Sequence, residues 1–152
     1  MNSVAKLLSV QEILLDVDVS GKQALFKAVG QLWQEHRGLD AAMVAENLSA
    51  REQLGSTGLG QGIAIPHARV DGLNEAVAAF VRPKSPIPFD SPDGRPVAYC
   101  FVLLVPAEAT EEHLQILAQV AEMLSSAQFR ERLGSLKSAD EIRQLFAGWQ
   151  SA

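Results

Sequence analysis

The sequence predicts an α/β fold, a three-layer α/β/α sandwich with a mixed central sheet. Two observations carry this. Residues 76–82 and 97–105 are continuous apolar runs rich in β-branched and aromatic side chains, the pattern of strands buried on both faces. Helical periodicity precedes the first run and follows the second, so each face of the sheet has helices to cover it.

The elements follow in order. The first dozen residues carry little signal, and residues 13–17 read as a short strand. Ser20 and Gln23 have the spacing of a capping box. Leu25, Phe26, Val29, Leu32 and Trp33 then share one helical face, and Gly38 ends that helix. Asp40 is the expected cap of a second helix reaching about Leu54. Residues 55–62, Gly-Ser-Thr-Gly-Leu-Gly-Gln-Gly, form neither regular helix nor strand throughout. A strand at 63–65 stops at Pro66. Five prolines and an Asp93-Gly94 turn fill the segment between the two apolar runs. Thr110 is expected to cap a helix carrying Leu114, Leu117, Ala118, Ala121 and Leu124. Capping-box spacings at Ser125 and Ser138 start two more, before Phe129 and before Ile142.

Composition bounds the function. The chain has 152 residues, enough for one domain, drawn at 5–149, with no internal repeat or linker. No apolar run approaches the roughly 20 residues of a membrane helix. No secretion signal is visible, and Cys100, the one cysteine, lies inside the 97–105 run. A cytoplasmic protein with Cys100 as core packing is expected. The net charge of −5, without a basic run, argues against nucleic acid as a partner. Three scattered histidines do not make a zinc site, no Gly-x-Ser-x-Gly is present for a serine hydrolase, and the glycines fit neither common nucleotide-loop spacing.

What remains is the stretch from Arg51 to His67. A glycine-rich turn can converge backbone N–H groups on an anion. His67 follows a strand end and a proline, which aims an imidazole out of the sheet edge. Neutral imidazole is a nitrogen nucleophile near pH 7, able to take a phosphoryl group; the alternative is a hydrogen-bonded structural histidine. His113, in a first helical turn, either polarises an anion or is simply solvated. Arg51 either neutralises phosphate oxygens or pairs with Glu52 on the surface. Thr57 either offers its hydroxyl or shapes the turn. His36, near a helix C-terminus, is read as structural.

Arg51-Glu-Gln-Leu-Gly-Ser-Thr-Gly-Leu-Gly-Gln-Gly-Ile-Ala-Ile-Pro-His67 closely resembles the phosphorylation-site region of fructose/mannitol-type enzyme IIA domains of the bacterial phosphoenolpyruvate-dependent phosphotransferase system. Pro86-Ile-Pro-Phe-Asp90, Asp93-Gly-Arg-Pro-Val97, Leu103-Leu-Val-Pro-Ala107 and His113-Leu extend the likeness. Within the family the Gly55-Ser-Thr-Gly58 loop is most similar to the nitrogen-regulatory subgroup. The resemblance implies a phosphohistidine on the ring nitrogen of His67 distal to the backbone, flanked by Arg51 and His113, with Thr57 and Gly58 as phosphate-cradle candidates. It implies no cofactor and no metal. The implied donor is an HPr-like histidine phosphocarrier. The implied recipient is a regulated partner, such as a potassium transporter or a kinase, or, in a sugar-uptake role, a cysteine on an enzyme IIB domain.

Overall fold

The computed structural model describes residues 2–150. Its centre is an antiparallel pair, β5 (Val77–Pro83) and β6 (Tyr99–Pro106). These are the two apolar runs, displaced by one or two residues. Alternation sorts their side chains. Phe101 and Leu103 of β6, with Ala78 and Phe80 of β5, face one core. Cys100, Val102 and Leu104, with Val77, Ala79 and Val81, face the other. Two buried faces explain why these strands read as unbroken apolar runs rather than as alternating ones.

Around this pair the sheet completes as β1-β5-β6-β3-β2, with β4 also on β6. Strand β1 (Ile13–Val17) joins β5 in parallel. Strand β2 (Gly58–Gly60) runs antiparallel to β3 (Ile63–Ala64). Both β3 and β4 (His67–Val70) lie parallel to β6. The sheet is therefore mixed, as expected.

Helices α2 (Lys22–Arg37) and α3 (Ala41–Gln53) cover one face. Helices α1 (Ser3–Leu7), α4 (Glu111–Ser125), α5 (Ala127–Ser135) and α6 (Ala139–Ala147) cover the other. The short α1 was not foreseen. Asn2 caps it through Ala5 N–H, and the Asn2 amide also donates to the Phe146 carbonyl at 2.7 Å. That second bond joins the chain's two ends and has no local sequence signal. The α2–α3 contact is close at Gly30, where a Cβ would come within 2.7 Å of the Ala41 carbonyl oxygen.

Two caps differ from expectation. Helix α2 is entered through Gly21, in extended conformation and with no side-chain cap, rather than through Ser20. Lys22 becomes its first residue, and this matters to the loop described below. Ser125 ends α4, its hydroxyl donating to the Ala121 carbonyl, and Ser126 caps α5 by accepting from Phe129 N–H. Asp40 and Ser138 cap as expected, and Gly38 closes α2 in the left-handed region at φ 72°.

The predicted strand at 63–65 also changes. Pro66 interrupts rather than ends it. Ile63 and Ala64 pair with Tyr99 and Cys100, and His67 resumes in the same register opposite Leu103. Proline removes a donor, but its carbonyl still accepts, and Leu103 N–H donates to Pro66 O at 2.9 Å.

Among the described residues one charged side chain is wholly buried. The Glu12 carboxylate accepts from Trp33 Nε1 at 2.9 Å, Arg37 Nε at 2.6 Å, Arg37 Nη2 at 2.9 Å and Ser9 Oγ at 3.0 Å. Burial, the largest single influence, pushes its pKa up. Arg37, Ser9 and Trp33 together outweigh burial and hold it below the ordinary carboxylate range. A carboxyl titrating below its unfolded value stabilises fully above that value and loses the contribution as pH falls through the folded one. Glu12→Gln is expected to cost about 3 kcal/mol near neutral pH. Urea titrations across the acid range should show a stability loss in the wild type that this variant lacks. Phe146 packs edge-on to Phe80 and Phe129, with centroids at 5.6 and 5.1 Å. Phe146→Ala should therefore cost about 4 kcal/mol in the same assay.

Candidate functional site

By strand alternation Ala68 and Val70 face the α2–α3 core, so His67 and Arg69 face the opposite side of β4. There a cleft of about 520 Å³ opens between the C-terminal half of α3, β4 and the first turns of α4. His67, Arg51, Arg69 and His113 all line it. A smaller hollow of about 360 Å³ adjoins it and shares His67, Arg51 and Leu117. Among the described residues no aspartate or glutamate lines either hollow. In a chain of net charge −5, this is a local excess of cationic and imidazole groups, suited to an anion.

The half-buried His67 ring is oriented by the backbone two residues before it. Nδ1 lies 2.7 Å from the Ile65 carbonyl oxygen. A carbonyl only accepts, so the neutral ring carries its proton on Nδ1 and its lone pair on Nε2. Among the described residues Nε2 has no protein partner. The ring thus has one nitrogen bonded and one available.

His113 has the complementary arrangement. Its Nδ1 accepts the Thr110 backbone N–H at 3.0 Å, so its neutral form carries the proton on Nε2, a donor. It occupies the third helical position of α4, where Glu or Gln would usually complete the capping box. Arg51 is not paired with Glu52. It donates to the Gly55 carbonyl at 2.9 Å, makes no ion pair among the described residues, and keeps donors for the cleft.

Thr57 and Gly58 are placed otherwise than as an anion cradle. The Thr57 hydroxyl and N–H both donate to Glu52, at 2.6 and 3.0 Å, and the Gly58 N–H donates to Ser56 Oγ at 3.0 Å. Gln61 N–H likewise donates to Asp93 at 2.8 Å. Asp93 also takes Arg95 N–H, and these backbone donors hold its carboxyl below its usual range. The physical reason at Thr57 is general: buried donors must be satisfied within the fold, and the Glu52 carboxylate lies nearest.

Three features were missed. Arg69 shares the face of His67 through the strand's period of two, which became readable only once the strand was seen to continue past Pro66. Glu52, 8% exposed, holds the glycine loop. Leu54, Leu59 and Leu114 are 86%, 49% and 57% exposed and rim the two hollows. His36 is exposed at the end of α2, away from both hollows. Cys100 is fully buried, and burial, reinforced by the charge of Glu52, pushes its thiol far up, so it is no nucleophile at neutral pH. No group of three or more His, Cys, Asp or Glu among the described residues is placed to hold a metal ion. No described helix is long and apolar enough to cross a membrane.

Comparison with known proteins places this geometry among relatives. Residues 6–148 match the family model described as phosphoenolpyruvate-dependent sugar phosphotransferase system, EIIA 2. The nitrogen regulatory protein of Pseudomonas aeruginosa is 41% identical over 152 residues, covering 99% of both chains. A fructose-specific EIIA component of Haloferax volcanii is 39% identical over 108 residues, 71% of this chain and 69% of that protein. The crystal structure of nitrogen regulatory protein IIA-Ntr from Neisseria meningitidis superposes with a TM-score of 0.90 at 45% identity, covering 95% of this chain and 99% of that one.

The exposed rim gives a stability test. Leu54→Ser and Leu114→Ser are each expected to change the unfolding free energy by less than about 0.5 kcal/mol, because neither side chain is in the core. Thermal melts of the single variants check this.

Proposed function

The chain belongs to the phosphoenolpyruvate-dependent phosphotransferase system EIIA 2 family, and from that premise we propose that Nε2 of His67 accepts a phosphoryl group from an HPr-like histidine phosphocarrier. The observation that carries this is the hydrogen bond from His67 Nδ1 to Ile65 O, 2.7 Å long, in a cleft without carboxylates. It leaves the nucleophilic lone pair on the outward nitrogen.

In the proposed step Nε2 attacks the phosphorus of the carrier's phosphohistidine. The new P–N bond forms as the carrier's P–N bond breaks, and the carrier imidazole leaves with that electron pair. Positive charge gathers on the His67 ring as it bonds to phosphorus, and the Ile65 carbonyl, accepting from Nδ1–H, stabilises it. Arg51 and the Nε2–H of His113 meet the charge on the transferring oxygens. Arg69 raises the local potential. Thr57 and Gly58 shape the loop beside the ring. The exposed Leu54, Leu59 and Leu114 offer a carrier apolar area around the reacting atoms.

Downstream, the phosphorylation state of His67 is proposed to control partner binding, a partner such as a potassium transporter or a kinase. A phosphoryl group adds about −2 of charge to a cationic cleft with an apolar rim, so a partner complementary to one state is repelled or poorly desolvated by the other. The full-length likeness to nitrogen regulatory proteins supports this reading. The fructose-specific relative supports a second one, in which His67 passes the group to a IIB cysteine for sugar uptake. Loss of growth on one sugar in a His67→Ala strain would favour the second; altered partner capture without a sugar phenotype would favour the first.

Intact-mass spectrometry after incubation with phosphoenolpyruvate, enzyme I and the phosphocarrier tests the chemistry. One acid-labile phosphoryl group is expected on the wild type and none on His67→Ala. Arg51→Ala and His113→Ala should each remain folded and gain the group about 10- to 100-fold more slowly. An unphosphorylated wild type beside an active control IIA would overturn the proposal.

A further inference from the structure

Glu52 is buried, yet it lines neither hollow around His67. Its charge is met by Lys22 Nζ at 2.9 Å, and Lys22 also bonds Asp90 at 3.1 Å and lies over the Phe89 ring at 5.0 Å. The rest of its accepting capacity goes to Thr57, through N–H and Oγ1. The Thr57 carbonyl in turn accepts Ile65 N–H at 3.1 Å. The Ile65 carbonyl accepts His67 Nδ1 at 2.7 Å. These bonds form one unbroken series from a buried ion pair to the imidazole.

Each link fixes the residue that makes the next. Glu52 clamps Thr57 at two donors, the backbone N–H and the side-chain hydroxyl. Thr57 then presents its carbonyl to Ile65, in the two-residue gap between β3 and β4. Ile65 is not paired with β6 as the strand residues on either side are; Pro66 O is held by Leu103 N–H, and the aim of the Ile65 carbonyl depends also on the bond that holds the Ile65 N–H to Thr57. A buried ion pair adds little net stability compared with apolar packing, but it sets geometry, because a carboxylate with two charge-assisted donors tolerates little movement.

We propose that Glu52 is a positioning residue for His67, acting through Thr57 and Ile65 to hold the ring in the Nδ1–H tautomer with Nε2 free toward the cleft. The inference deepens the proposed function and rests on His67 as phosphoryl acceptor for its rate consequence, but not for its effect on the ring. Loosening Glu52 or Thr57 weakens the Nδ1–H···O=C bond, and the neutral ring then populates the Nε2–H tautomer, whose lone pair sits on the inward nitrogen.

The test is ¹H–¹⁵N NMR of the His67 ring nitrogens in the neutral form, together with the phosphoryl-transfer rate from the carrier, for wild type, Thr57→Val, Thr57→Ser and Glu52→Gln. Valine keeps the shape of threonine and loses the hydroxyl; serine keeps the hydroxyl. In Thr57→Val the two ring nitrogens should move toward a mixed-tautomer position and the rate should fall about fivefold, the scale of one net hydrogen bond. Thr57→Ser should restore both, and Glu52→Gln should move both further. Folded Thr57→Val and Glu52→Gln proteins with wild-type ring nitrogens and wild-type rates would overturn the proposal, even if their melting temperatures fell. Should Glu52→Gln not fold, the Thr57 pair decides alone. Should the ring nitrogens shift in a protein whose wild type takes no phosphoryl group, the positioning stands and the acceptor reading fails.

Discussion

The site depends on the pairing of residues 63–70 with β6 in a single register carried across Pro66. A proline inside a strand normally ends the ladder. Here Pro66 O still accepts Leu103 N–H, so alignment survives while a two-residue gap opens. In that gap the Ile65 carbonyl is free to take Nδ1 of His67, and alternation from Ile63 and Ile65 delivers His67 and Arg69 to the same face. A uniform strand would carry His67 at the same height, but it would not fix the ring.

Charge is distributed to suit. The molecule is acidic overall, yet its carboxylates near the site are held in structural positions. Glu52 faces Lys22 and Thr57, and Asp93 takes the backbone donors of Gln61 and Arg95. Among the described residues Arg51 and Arg69 have no acidic partner in the cleft. The same economy operates at a distance, where Glu12 joins the segment before β1 to α2 through Trp33 and Arg37. Buried carboxylates tie segments together, and the half-buried Arg51 and exposed Arg69 face the hollow.

Much of this was legible in the residues. The two apolar runs announced strands covered on both faces, and the order of helical patterns around them announced three layers. The segment 51–67 and its companion blocks pointed to the family, and full-length similarity to nitrogen regulatory proteins bears that out. The misplaced caps at Ser20 and Ser125 erred by one residue, because local rules also admit Gly21, a weaker cap than serine, and rank Ser126 level with Ser125. Tertiary contact selected between them, and in α2 the outcome starts the helix at Lys22, whose ammonium reaches Glu52.

Local chemistry therefore determined which residues could act: an imidazole behind a proline, a second histidine in a first helical turn, an arginine before a glycine loop. Such features depend on spacing along the chain, and spacing is written in the sequence. Only the tertiary structure decided how each donor and acceptor is used. Thr57 could offer its hydroxyl or shape the turn by sequence, and in the structure the donors of Thr57 and Gly58 go to Glu52 and Ser56. Arg51 and Glu52, adjacent in sequence, went to separate partners. The tautomers of His67 and His113 follow from bonds to Ile65 and Thr110. Those choices are made by competition among groups brought together from distant segments, at distances of about 3 Å, a scale that spacing along the chain does not specify.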